Sequence, residues 1–366
     1  MSSTKQHFHG SDLEKIAAHY RIPQSEIVNY SGNVNPLGLS PLLLTELSKQ
    51  IALIASYPDR EYTSLRAALG RYLEVDPANI LVGNGSTEII SLLIKVVAPQ
   101  KALVLGPTYS EYEREIFLGG GSTRYYRLLE ENDFQIDVED FLQHLTEDLD
   151  LLVLCNPNNP TSTALSASRL RTILDRCKEL DIFVLVDETY IEFVEDLAAY
   201  TAVHLTEFYN NVLIIRGVSK FFAAPGLRLG YGVCGNQEYL QKINNAKNPW
   251  TINALAAYAG ELMLQDTEYI RRTRELISTQ REAVYRTLSG WPFVKAYAPM
   301  ANFILVKILD EAHTSQDLFD ALIQRKRMIR DASSFPFLGD RFFRFCFLTA
   351  EDNRLLLEAI REILAP

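Results

Sequence analysis

At 366 residues, with 47% hydrophobic and 22% charged side chains, the chain has ordinary globular composition and the length for one large domain plus a smaller one. Its formal net charge of −10 argues against nucleic acid as a main partner, because phosphate backbones call for a basic footprint. The four cysteines (155, 177, 234 and 346) show neither C-x-x-C nor zinc spacing; they read as reduced structural thiols of a cytoplasmic protein, and no stretch reaches the length of a membrane span.

In chain order, SDLEKIAAHY (residues 11–20) predicts a short helix opened by a Ser11–Glu14 capping box. The first thirty residues carry no apolar core of a secretory signal. NYSGNVNPLG (29–38) is turn-rich, SPLLLTELSKQIALI (40–54) takes helical spacing, and TSLRAALGRYL (63–73) is amphipathic. Short apolar runs then alternate with helices: ILV (80–82), ALVL (102–105), LLVLC (151–155), IFVLV (182–186) and VLII (212–215). Runs that are apolar on both faces suit buried parallel strands covered by helices, and the helical stretch 166–180 completes a βαβ unit. Longer helical patterns come after residue 250. They lead to Arg325-Lys326-Arg327, read as a solvated helix face or turn, to a strand-like RFFRFCF (341–347), and to an amphipathic helix from about residue 351. The expected division is an N-terminal segment 1–45 that joins the small domain, a large α/β domain 46–250 and a small domain 251–366.

The chemistry lies in the polar clusters at the ends of these apolar runs. Four of the runs lead into GNGSTE, NPNNPT, DETY and RGVSK in turn. In an open α/β sheet ligands sit beyond the carboxyl ends of the strands, so four polar clusters of complementary chemistry converge on one crevice. Gly85, Ser86 and Thr87 open a helix directly after a strand, where glycine allows close approach and free N–H groups meet an anion; tight structural turns use the same pattern. Asp187 ends an apolar strand, where a carboxylate needs a partner: it caps the next segment or pairs with a buried cationic nitrogen. Lys220 either snorkels to solvent or supplies an amine for Schiff-base chemistry, and Arg228 is an ion-pair partner or a clamp on an anion. An aldehyde-reactive lysine, a carboxylate for a ring nitrogen and a phosphate cradle together describe pyridoxal phosphate, with Asn159 beside the ring hydroxyl and Tyr109 stacked on the ring face. In RFFRFCF, period-two alternation puts Phe342, Arg344 and Cys346 on one face, and a guanidinium amid so much apolar surface calls for an anion, from a structural acid or from a ligand.

With the motifs NPNNPT, DETYIEF, SKFFAAPGLRLGY and SYPDREYTSLRAAL in order, the chain resembles the class I/II aminotransferases of fold type I over nearly its whole length. The resemblance implies an α/β large domain with a mostly parallel seven-stranded sheet flanked by helices, and a smaller α+β C-terminal domain. It implies pyridoxal phosphate bonded to Lys220, with Asp187 on the pyridinium nitrogen and Asn159 and Tyr190 on the ring hydroxyl. Ser86, Thr87, Ser219 and Arg228 would form the phosphate cup. Tyr57 would be lent to the neighbouring subunit of a homodimer. Within the superfamily the chain is most similar to the L-threonine-O-3-phosphate decarboxylases of cobalamin biosynthesis, and next to the histidinol-phosphate aminotransferases. Both groups take a small phosphorylated, amino-acid-like substrate. On that match His9, Asn33 and Arg330 serve the substrate phosphate or carboxylate, and Arg344 the carboxylate. The alternatives are an aminotransferase using 2-oxoglutarate and, from another class, a non-catalytic cofactor-binding or regulatory protein. Two positions depart from the family pattern: Gly217 stands where Ser or Thr usually contacts the cofactor phosphate, and Ser162 stands where Gly usually comes after NPT.

Overall fold

Seven strands form the larger sheet of the computed structural model, which describes residues 12–365: β1 (Ile80–Gly83), β2 (Lys101–Gly106), β3 (Ser122–Arg127), β4 (Leu151–Cys155), β5 (Phe183–Asp187), β6 (Val212–Gly217) and β7 (Gly230–Val233). Their spatial order is β1-β7-β6-β5-β4-β2-β3, and every neighbouring pair is parallel except the two made by β7. The mostly parallel seven-stranded sheet expected from the resemblance is therefore present. β4, β5 and β6 are buried throughout, as a sheet covered on both faces requires. Two strands escaped the search for apolar runs. β3 is polar because it pairs on one side only, at the sheet's edge. β7, GYGV, is half glycine because it passes close to the chain leaving β1: a Cβ at Gly230 would lie 2.3 Å from the Ser86 amide nitrogen.

The helices that bear on the site are α1 (Gly85–Val97), α2 (Glu111–Leu118), α3 (Ala167–Glu179) and the 23-residue α4 (Thr267–Ser289). The helix expected near the start spans Leu13–Tyr20 with Asp12 at its N-cap, and Ser11 lies outside the described residues. The stretch after residue 40 is a helix over Pro41–Lys49, capped by Ser40, followed by a 3-10 turn over Ile51–Ala55.

A second, antiparallel sheet lies C-terminal to α4, with strands β8 (Val294–Ala296), β9 (Phe303–Ile308), β10 (Arg330–Asp331) and β11 (Phe342–Cys346) in the order β10-β11-β9-β8. The N-terminal chain runs alongside it: Val28–Asn29 pairs with Arg327–Met328, and the Cys346 amide donates to the Tyr30 carbonyl. The first two residues of the basic run form a turn, with Arg325 paired to Glu362 and Lys326 to Glu26, and Arg327 begins the short strand that pairs with Val28.

Ser162 shows why it can replace glycine. It is fully buried at φ 61°, a left-handed conformation that disfavours a side chain, and its hydroxyl accepts from the amides of Met300 (3.2 Å) and Ala301 (2.9 Å). That tie joins the NPNNPT loop to the chain entering β9.

Candidate active site

Twelve of the residues singled out in the sequence line one cavity of about 320 Å3. Ser86, Thr87, Tyr109, Asn159, Asp187 and Tyr190 come from the carboxyl edge of the large sheet. Ser219, Lys220 and Arg228 come from the loop after β6, Arg330 and Arg344 from the small sheet, and Asn33 from the N-terminal chain.

Asp187 is the last residue of β5 and only 4% exposed. One carboxylate oxygen accepts from the Thr189 amide (2.9 Å) and hydroxyl (2.6 Å), and the other accepts from the Tyr112 hydroxyl (2.7 Å). Burial pushes its pKa upward, and these donors pull it back. Asp187 therefore caps the next turn, while facing the cavity without a cationic partner among the described residues. Tyr112 and Thr189 were not singled out in the sequence, although Tyr112, in the first turn of α2, lies three residues beyond Tyr109 and their rings meet edge to face at 5.5 Å.

The anion cradle lies where α1 starts. Its N-cap, Asn84, makes no side-chain cap and instead donates to the Thr251 carbonyl at 2.9 Å. Gly85 sits behind the cradle at φ 78°, and a Cβ there would lie 2.5 Å from Arg228 Nη2. The glycine thus admits the guanidinium alongside the helix N-terminus. At Gly217 an added Cβ would make ordinary contacts, 3.6 Å from the Leu229 carbonyl oxygen and 3.8 Å from Ser86 Oγ.

Lys220 Nζ donates to the Gly32 carbonyl at 2.7 Å, and its own carbonyl accepts from the Asn35 amide at 3.0 Å. Asn35 also donates through its side chain to the Phe221 carbonyl (2.8 Å), so the N-terminal chain holds the lysine loop at several points. Phe221 and Phe222 are buried beneath that loop, against Phe193 and Tyr269. Burial, with the nearby charges of Arg344 and Arg228, pulls the Lys220 amine down to about 8.

The small sheet contributes two cations. Arg330 and Arg344 are direct partners across the antiparallel β10–β11 pair, which places their side chains on one face. Like charges so placed repel, and burial with the charge of Arg344 brings Arg330 down to about 10. Arg344 is 4% exposed, and burial lowers its pKa as well. It donates to the Asn159 side-chain oxygen and to the Ser31 carbonyl (2.7 Å), its Nε has no partner, and no carboxylate pairs with it among the described residues. Among the described residues, the structural acid that could have neutralised it is absent. Beside it the Tyr190 hydroxyl accepts from Asn33 at 3.2 Å, and burial pushes that phenol up to about 12.

Tyr57 stands apart from this cavity, 80% exposed and packed on Trp250 at 4.9 Å between ring centroids. His9 lies outside the described residues.

These residues fit pyridoxal phosphate: open helix amides with an arginine for the phosphate, a buried carboxylate without a cationic partner for the ring nitrogen, and a lysine with a depressed pKa. Residues 26–360 match the family described as Aminotransferase class I and II. The chain belongs to that family. It is similar to the threonine-phosphate decarboxylase of Salmonella typhimurium, 33% identical over 97% of this chain and 96% of that one. The histidinol-phosphate aminotransferase of Methanococcus aeolicus is 29% identical over 97% and 94%. Among solved structures, the histidinol-phosphate aminotransferase of Clostridium acetobutylicum superposes with a TM-score of 0.85 at 32% identity, covering 91% of this chain and 98% of that one. This class I/II family member is a pyridoxal-phosphate-dependent enzyme, a lyase or an aminotransferase.

Proposed function

We propose that the chain decarboxylates L-threonine O-3-phosphate to (R)-1-aminopropan-2-yl phosphate, in the cobalamin pathway. The observation that carries this reading is the pair of facing guanidiniums, Arg330 and Arg344, in one cavity, with no carboxylate hydrogen-bonded to both among the described residues, which suits a substrate bearing both a carboxylate and a phosphate. The Salmonella relative, similar along almost the full length of both chains, supports it. Histidinol phosphate also carries a phosphate, and the Clostridium structure makes its aminotransferase the second reading.

Pyridoxal phosphate, when bound, withdraws electrons from the substrate's alpha carbon. In this reading Ser86, Thr87, Ser219 and Arg228 hold its phosphate, Asp187 its ring nitrogen, Asn159 and Tyr190 its ring hydroxyl, and Tyr109 covers its face. Arg344 holds the substrate carboxylate; Arg330 and Asn33, with His9 from outside the described residues, hold the substrate phosphate. Lys220 Nζ holds the cofactor at rest, and its lowered pKa leaves a neutral fraction of amine near pH 7. When carbon dioxide leaves, the proton that replaces it on the alpha carbon comes from Lys220 Nζ. Were the substrate turned so that Cα–H took the reactive orientation, the same amine would remove that proton and transamination would result.

The assembly belongs to the same proposal. Leu42, Leu44, Ile51, Ile54, Tyr57 and Trp250 are all exposed, an apolar surface that a second copy would cover while receiving Tyr57 at its site. The large domain is assigned to 46–250 and the small one to 251–366, with 1–45 joining the latter; the two sheets fall within those bounds. The four buried free thiols support a cytoplasmic location.

Two incubations test the reaction, one with L-threonine O-3-phosphate alone and one with histidinol phosphate plus 2-oxoglutarate. Carbon dioxide release in the first, with no oxo-acid present, is the expected result. Glutamate formed in the second tube alone would overturn the decarboxylase.

A further inference from the structure

Asp187 meets its surroundings through a particular set of donors, and only some of them belong to its own turn. Both Thr189 donors reach Oδ1, whereas Oδ2 is met by a single group from another element, the Tyr112 hydroxyl at 2.7 Å. Tyr112 is 1% exposed on α2, its ring fixed edge-on against Tyr109, so the hydroxyl has little freedom to leave. The two Thr189 donors occupy both lone pairs of Oδ1, Oδ2 keeps one further lone-pair direction, and Asp187 lines the cavity.

We propose that Tyr112 is a positioning residue for Asp187: its hydroxyl fixes the carboxylate plane and keeps the group an ionised acceptor facing the cofactor's cationic nitrogen. The proposal rests on Asp187 being the ring-nitrogen partner. The titratable and charged groups around Asp187 are Tyr109 and Tyr112 from the α2 region, Cys155 from β4 and Tyr190 from its own turn, with Lys220, Arg228 and Arg344 also lining the cavity. Burial holds the three phenols and the Cys155 thiol neutral at physiological pH, the thiol being pushed up to about 12. The amine of Lys220 titrates near 8. That amine and the phosphate of the free cofactor, whose second pKa is about 6, titrate in wild type and variants alike, so the displacement of the acid limb between a variant and wild type, not its position, reports on Asp187.

The donors set the sign of the effect. Burial favours the neutral acid, and hydrogen bonds to the carboxylate oppose it, so removing one donor raises the Asp187 pKa and moves the acid limb to higher pH. The test uses the full chain stripped of cofactor and titrated with pyridoxal phosphate between pH 5 and 8, monitored by protein fluorescence and visible absorption. For Tyr112→Phe the acid limb should move up by about one pH unit, with affinity about three-fold weaker at pH 8 and about ten-fold weaker at pH 5.5. Thr189→Val, which keeps the Thr189 amide, should shift the limb the same way by less. Asp187→Asn serves as the control. If it loses affinity while Tyr112→Phe overlays wild type at every pH, the role of Tyr112 is overturned and that of Asp187 stands. If Asp187→Asn itself binds as wild type does, the ring-nitrogen reading fails instead. Should Tyr112→Phe not fold, an unshifted limb in Thr189→Val would also overturn the proposal, since the side-chain donors would then not govern the carboxylate.

Discussion

Two buried arginines sit on strands of this protein in opposite electrostatic situations. Arg216, near the end of β6, is 3% exposed and closed on itself: Nε and Nη2 donate to Glu188 at 2.9 and 2.8 Å, and Nη2 also reaches the Thr201 hydroxyl at 2.7 Å. Burial opposes its charge more strongly than any single neighbour favours it, but Glu188 together with Tyr231, Glu192 and Tyr72 outweighs burial and holds its pKa above the ordinary arginine value. Arg344, 4% exposed, has only neutral partners, a like charge opposite it and a free Nε. A satisfied buried ion pair keeps a fold together, whereas an unsatisfied cation costs stability until an anion arrives. The contrast separates an arginine neutralised within the fold from one left open to an anion, without reference to any relative.

The sharpest way to break that distinction is to remove each charge. Arg344→Gln should lower kcat/KM by about 10²- to 10³-fold while the denaturation midpoint stays level or rises, because an uncompensated charge has left the interior. A variant that instead lost stability with its activity would make Arg344 a structural residue. Arg216→Met should destabilise by about 3–5 kcal/mol in chemical denaturation, since the buried Glu188 keeps only the Thr201 hydroxyl and Ala202 amide and loses its cation, and adding Glu188→Gln should recover most of the loss. Equal stability of the single variant and wild type would remove the basis for the comparison.

Lys220 extends the contrast to a group that titrates. Its folded pKa, near 8, is below the 10.5 of an ordinary lysine, so the unfolded chain binds more protons between those values and wild-type stability should rise with pH across that window. Cofactor-free Lys220→Met lacks this dependence. It should exceed wild type by about 3 kcal/mol at pH 7, with the gap closing towards pH 10.5. A gap independent of pH would mean that the amine is not held in its depressed state. The smallest effect is expected at Gly217, where the space beside Ser86 Oγ accepts a Cβ without strain. Gly217→Ser should tighten pyridoxal phosphate binding about three- to ten-fold, read by fluorescence titration, and a weaker complex would show that the cup has no room for another donor.

Legibility differed between the two halves of the site. The residues at the large sheet's edge announced themselves because each polar cluster comes directly after an apolar run, and a parallel sheet delivers the ends of such runs to one side. The same rule passed over β3 and β7, whose polar and glycine-rich sequences reflect an edge position and a close backbone approach. Tyr112 and Asn35 were also passed over, because a donor that supports another residue carries no local signature. Arg344 was marked by the apolar sequence around it, but whether its partner was an acid or a ligand could not be read from the strand alone.

By itself, then, the sequence determined the type of sheet, the family and the set of groups available for the chemistry, all of which depend on order and spacing along the chain. Only the tertiary structure decided which cation is neutralised and which stands open, that Arg330 faces Arg344 across a ladder, and that Tyr112 reaches Asp187. Those relations depend on register and packing between residues as many as 313 positions apart, and electrostatic interactions inside a protein are set by distance and burial, not by place in the chain.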